Sequence, residues 1–193
     1  MKTPNPIPRY ALIIGIVSIL MMGEICSAQQ SIRRGESING FRGLKWGNSV
    51  EEASNLYDDF IFNKYEIVNS KEEPSKIYIR NKEHGVIDNV VFDGIEYWFK
   101  NNEFYQIKAI LHSRFGPRTL VTSGEEGFEK LVHLYKDRYG EPMKNNVDYI
   151  NDILSVIKEA TWEVGKSTIT LRYEGPKDNN EDRLLFEIRR RKN

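Results

Sequence analysis

One cysteine, Cys26, stands in the whole sequence, and only three histidines accompany it. If the chain is cut after Ala28, no cysteine remains. That excludes a disulfide framework, a thiolate nucleophile and a cysteine-bearing metal site. His84, His112 and His133 show no His-x-x-x-His spacing, so they form no metal motif. Net charge is lacking too, with 28 Lys and Arg against 28 Asp and Glu. Nucleic-acid binders usually carry a strong basic excess, so no nucleic-acid partner is expected. The basic run from Arg189 to Lys192 reads as a solvated strand end. No glycine-rich phosphate loop, dinucleotide fingerprint or Gly-x-Ser-x-Gly elbow occurs, and no cofactor is expected. Asp178 to Asp182 begins like a calcium loop, but Arg183 and Arg189 stand where its glycine and bidentate glutamate belong.

Long apolar runs are scarce as well. The exception lies near the start, where Lys2 and Arg9 precede an uncharged stretch from Ala11 to Gly23, followed by Cys26 and Ala28. A basic flank, a short apolar core and a small-residue stop make a secretory signal peptide over residues 1–28. The run is shorter than the roughly 20 residues a membrane span needs. Acylation at Cys26 is the other option, although the bulky Ile25 fits a lipoprotein cleavage site poorly. The expectation is therefore an exported chain, periplasmic or secreted, with no transmembrane span after cleavage. Removing Lys2, Arg9 and Glu24 leaves 26 basic against 27 acidic residues in that chain.

What is present is a repeated cap signature. Residues 29–40 are polar and read as a flexible leader. Ser49 followed by Glu52 makes a capping box, in which each side chain satisfies an orphan amide at a helix start. Val50, Ala53, Leu56, Tyr57 and Phe60 then recur at helical spacing. Gly47 permits a tight turn ahead of the cap, and Trp46 folds over the helix start as core. Ser123 with Glu126 repeats the box before a stripe of Phe128, Leu131, Val132, Tyr135 and Tyr139. Gly140 suits a left-handed C-terminal cap, and Pro142 blocks continuation. The second helix is predicted over Glu125 to Tyr139.

Elsewhere the period is two. Strands are predicted at Ser75 to Asn81, Asn89 to Lys100, Glu103 to His112, Ala160 to Gly165, Ser167 to Tyr173 and Arg183 to Arg190. Asn151 to Glu159 fits either a strand or a short helix. Asn101-Asn102 suits a tight turn, because asparagine tolerates positive φ. A two-residue loop pairs Phe99 with Phe104. A longer loop pairs Phe99 with Tyr105, sets Glu96 opposite Lys108 and leaves Trp98 outside; the cleaner apolar face favours it. The expected fold is α+β, one domain over residues 41–193. It comprises tandem helix-plus-three-strand units, roughly 41–115 and 116–193, with both helices on a mostly antiparallel sheet.

At "FRGLKWGNSVEEA", "YWFKNNEFYQI" and "LYKDRYGEP" the sequence resembles a group of uncharacterised bacterial envelope proteins. These carry Trp-Gly-x-Ser-x-x-Glu, an aromatic hairpin and Tyr-Gly-Glu-Pro. The unit is also similar to repeats of the β-lactamase-inhibitor-protein fold and of small outer-membrane assembly lipoproteins. The resemblance implies an interaction module and brings no catalytic residues.

The acidic pairs Glu51-Glu52 and Glu125-Glu126 complement helix dipoles in opening turns. Asp58-Asp59 reads as a helix exit facing water, and Glu72-Glu73 is a further acidic pair. No catalytic, metal or cofactor residue is assigned. Trp98, Phe104 and Tyr78 are the candidate interaction surface, as aromatics amid Lys and Glu on the outer sheet face. The leading expectation is a non-catalytic envelope module that binds another protein or a surface component. The alternatives are a hydrolase with a dispersed Asp, Glu and His site, or a small-ligand carrier. The oligomeric state is not legible in the sequence.

Overall fold

The computed structural model describes residues 37–66, 74–114, 123–150, 155–175 and 181–191. They begin with a small hairpin, β1 (Gly40–Phe41) and β2 (Leu44–Lys45), followed by α1 (Val50–Leu56). Next come β3 (Phe60–Glu66), β4 (Ser75–Arg80), a second small hairpin of β5 (Val86–Ile87) and β6 (Val90–Val91), then β7 (Gly94–Lys100) and β8 (Glu103–Arg114). After α2 (Gly124–Tyr139) the chain forms β9 (Lys144–Ile150), β10 (Ser155–Val164), β11 (Ser167–Glu174) and β12 (Glu181–Arg190). Eight strands pair in the order β3-β4-β7-β8-β12-β11-β10-β9, and every pairing is antiparallel.

This corrects the expected architecture. The described residues are mostly strand, with two helices, and one continuous eight-stranded sheet replaces tandem helix-plus-three-strand units. Two local readings account for the difference. The helical spacing that included Phe60 holds only to Leu56; Tyr57 is already extended, at φ −130° and ψ 116°, and Phe60 opens β3. Lys144 to Asp148 lacks apolar alternation, yet it pairs with β10 through its backbone while its side chains stay exposed. Strand propensity counts side-chain burial, which an edge strand does not need.

Both serine N-caps form, and the reciprocal box is present at Ser49–Glu52. Ser49 Oγ accepts from Glu52 N–H at 3.1 Å, and Glu52 Oε2 accepts from Ser49 N–H at 2.7 Å. Ser123 Oγ accepts from Glu126 N–H at 3.1 Å. Gly140 has φ 85° but ψ −168°, so it ends α2 with positive φ rather than in the left-handed helical well. Gly47, at φ 89°, sends its N–H to Phe104 O, and Phe104 returns its N–H to Asn48 O, both at 2.8 Å. This ties the start of α1 to the β7–β8 hairpin. Trp46 packs tilted against Phe104, with centroids 4.8 Å apart, and donates its indole N–H to Ser167 Oγ. The described end of the expected leader is docked, with Ile38 buried and Gly40 in β1. Replacing Ser49 by alanine is expected to cost about 1 kcal/mol of unfolding free energy. Chemical denaturation checks this, and an unchanged midpoint would remove the capping role.

The β7–β8 hairpin joins both registers weighed from sequence. Asn101 and Asn102, at φ 52° and 62°, make a two-residue turn that sets Phe99 opposite Phe104. A bulge then shifts the pairing, so Trp98 faces Gln106 and Glu96 faces Lys108. The extra residue keeps the face beyond the turn in phase.

Strand alternation divides the sheet into two faces. The inner face carries Ile95, Tyr97, Phe99, Phe104, Ile107, Leu171, Phe186 and Ile188, all in the main core. Over it, α2 buries Phe128, Leu131, Val132 and Tyr135; Tyr135 meets Trp162 and Phe186 at 5.8 and 6.0 Å. The α2 helix also clamps the β5–β6 turn, because Tyr135 Oη and Arg138 donate to the two oxygens of Asp88 at 2.8 and 3.0 Å. The outer face is charged. Glu96, Lys108 and Glu187 oppose one another along β7, β8 and β12, as alternating signs favour. Burial raises the Glu187 carboxyl pKa, partly offset by Lys108 and Arg189.

Candidate functional site: an aromatic edge

The structure separates the three aromatics expected to form a surface. Phe104 is 0% exposed on the inner face, against Trp46, Tyr97 and Phe99. Trp98 does point to the outer face, but it is 2% exposed. The Lys108 ammonium lies 3.7 Å from its ring centroid, Ile77 and Gln106 flank it across the strands, and its indole N–H donates to Glu96. A long cationic side chain thus roofs an aromatic ring that the sequence left in solvent. Neither ring offers a surface. Tyr78 remains partly exposed and belongs to an aromatic cluster that continues through Phe99 to Phe104.

That cluster sits on β3, the terminal strand. Phe60 stacks on Tyr78 with centroids 4.9 Å apart and ring planes 3° apart. Tyr78 meets Phe99 edge-on at 5.3 Å and Phe62 at 5.7 Å, and Phe62 meets Tyr65 at 4.8 Å. The rings make one row from the core, Phe104 to Phe99 to Tyr78 to Phe62 to Tyr65. Exposure climbs along it from 0% at Phe99 to 46% at Phe62 and 59% at Tyr65. The core therefore runs out into water on this side. On the opposite face of the same strand Ile61 is also exposed. A bulge at Asn63 breaks the register between Phe62 and Lys64, which lets Phe62 and Tyr65 share a face at a spacing of three. Burial raises the Tyr78 phenol pKa, with a further contribution from Tyr65.

An ionic cluster sets the position of β3 against β4. Asp59, expected to face water, is buried: its carboxylate accepts from Arg80 Nε at 2.9 Å and Lys82 N–H at 2.8 Å. Burial pushes that carboxyl up, but the two hydrogen bonds and the Arg80 charge outweigh it and hold the pKa below the ordinary value. A depressed carboxyl stabilises the fold above its unfolded pKa of about 3.9 and loses that contribution as pH falls through the folded value. Asp58, beside it, is exposed and pairs with Lys82. Nearby, the Glu83 side chain is 4% exposed and receives Arg42, Tyr97 Oη at 2.7 Å and Arg80 at 3.6 Å on one oxygen, Oε1. Burial and the Glu83 charge hold the Tyr97 phenol far above its ordinary pKa. Arg42, at φ 50°, also donates to Val86 O at 2.6 Å, so the β1–β2 turn is latched to the start of β5.

The remaining chemical candidates lie apart. His84 is exposed, His112 pairs with Asp93 at 3.0 Å, and His133 lies 3.7 Å from Asp137 on α2. Glu51 and Glu52 occupy the first turn of α1, and Glu125 binds Lys158 with Glu129. Glu72 and Glu73 lie outside the described residues, as does Asp178, whereas Asp182 is buried on β12. Among the described residues no three His, Cys, Asp or Glu side chains group to hold a metal ion, and no helix is long and apolar enough to cross a membrane. Comparison with known family models, curated proteins and solved structures finds no match.

Sequence reasoning missed Phe62 and Tyr65, although the signal was present. "FIFNKYE" is rich in aromatic and β-branched residues and directly follows the turn-forming Asp58-Asp59. Extending the helix to Phe60 concealed it.

Proposed function

We propose that this chain is an exported, non-catalytic binding module of the bacterial envelope, engaging another protein or a surface component through the aromatic edge at β3. One observation carries the reading: Ile61, Phe62 and Tyr65, all large and apolar, are exposed on one seven-residue terminal strand. Exposed apolar clusters on a rigid element are typical of interaction sites. Aromatic rings held from behind by Phe60, Tyr78 and Phe99 lose little entropy when a partner covers them. The short apolar run near the start and the resemblance to envelope proteins support export.

A photo-crosslinking residue in place of Tyr65 is expected to trap a discrete envelope partner, whereas the same residue in place of Val147, exposed on the opposite edge, traps none. The paired change Phe62→Ser and Tyr65→Ser should abolish capture while shifting stability by no more than about 1 kcal/mol, the usual range for two surface sites. Equal capture by the paired variant would overturn the reading.

A further inference from the structure

The aromatic row ends at an edge whose charges are self-complementary. Lys64, Tyr65 and Glu66 pair inward with Ile77, Lys76 and Ser75 of β4, and β3 is the last strand of the sheet. Their outward side has no strand partner among the described residues. Lys64 and Glu66 share the outer face, and Tyr65 between them lies on the inner one. Residues directly opposite in an antiparallel pair share a face.

A second β3 brought alongside by a two-fold axis through Tyr65, perpendicular to the sheet, runs antiparallel to the first. Each Lys64 then opposes the Glu66 of the other copy, and the two Tyr65 rings meet on the inner face. Centring the axis on Lys64 would set lysine against lysine, and on Glu66 glutamate against glutamate, both unfavourable. Charge therefore selects one register. The axis also closes the assembly, because the interface is isologous. The Asn63 bulge lies outside the paired stretch, so it does not interrupt it.

We propose that a second copy of this chain pairs with β3 along Lys64–Glu66 and forms a two-fold dimer with a continuous sheet. The inference goes beyond the binding role above without requiring it. In the dimer Phe62 and Tyr65 of both copies line one face, so the aromatic shelf is doubled and its open end is covered. The short paired stretch makes the association weak and concentration-dependent.

Sedimentation velocity of the purified protein over a range of concentrations tests it. A monomer–dimer equilibrium is expected. Lys64→Glu and Glu66→Lys should each weaken association about tenfold, since two attractive pairs become repulsive. The double variant K64E/E66K should restore it, because the charges have exchanged places. Lys64 also pairs with Glu96 at 3.0 Å, so Glu66→Lys serves as the reversal that leaves this contact intact. Three results would each overturn the proposal: a monomer at every concentration, a dimer indifferent to both reversals, or a double variant that fails to recover. The last would instead suit head-to-tail pairing of Lys64 with Asp148 on β9, the other terminal strand. Loss of the dimer with crosslinking at Tyr65 intact would sink this proposal alone.

Discussion

Trp98→Ala is expected to lower the unfolding free energy by about 3–5 kcal/mol, the range for truncating a buried tryptophan or phenylalanine. The ring is 2% exposed although it points to the charged face of the sheet. Its removal would leave a void beside Ile77 and Gln106 and deprive the Lys108 ammonium of the ring 3.7 Å away. Glu96 would lose the indole donor as well. In a domain of ordinary stability, about 5–15 kcal/mol, that is a large fraction of the total. Guanidinium unfolding followed by circular dichroism measures it. A shift below about 1 kcal/mol would mean that the ring is a dispensable surface group. Trp98→Phe should fall between, since it keeps a ring under Lys108 but gives up volume and the N–H.

Removing the carboxylate of Glu83 is the second large effect. Glu83→Ala is expected to cost about 3–5 kcal/mol, because breaking a buried ion pair leaves its partner charged and uncompensated. Here Arg42 loses its carboxylate, Arg80 keeps only Asp59, and Tyr97 loses the acceptor of its hydroxyl. The damage should begin locally. Arg42 holds the β1–β2 turn through Glu83 and Val86 O, so that hairpin should lose amide protection before the eight-stranded sheet. Hydrogen exchange resolves the order. Glu83→Gln keeps an acceptor for Tyr97 but not the charge, and should be milder. A loss under about 1 kcal/mol for Glu83→Ala would show that both arginines reach water freely once the carboxylate is gone.

Legibility from sequence followed the range of the interaction concerned. The Ser49–Glu52 box and the Asn101-Asn102 turn involve contacts within a few residues, and the α2 stripe from Phe128 to Tyr135 has a local period, so each reads directly from spacing. The hairpin register was half legible. Turn chemistry selects the Phe99–Phe104 pair and hydrophobic alternation selects Glu96 opposite Lys108; the bulge that reconciles them has no sequence mark of its own. The candidate site fared worse. Phe62 and Tyr65 lie in a run that reads as strand once the helix is stopped at Leu56, yet their exposure depends on what covers them.

By itself the sequence determined the places where helices start, the turns, the alternating strands and the balance of charge, because backbone hydrogen bonding and side-chain period are local. Only the tertiary structure decided which rings face water. Trp98 is buried because Lys108 from β8 folds over it, and Phe104 because Trp46 and Phe99 close around it. Asp59 is buried because Arg80 reaches it from β4. Tyr65 is exposed because no strand among the described residues follows β3 in the sheet. Burial is a property of neighbours brought together by strand order, and strand order depends on long-range pairing that no single stretch of the chain encodes.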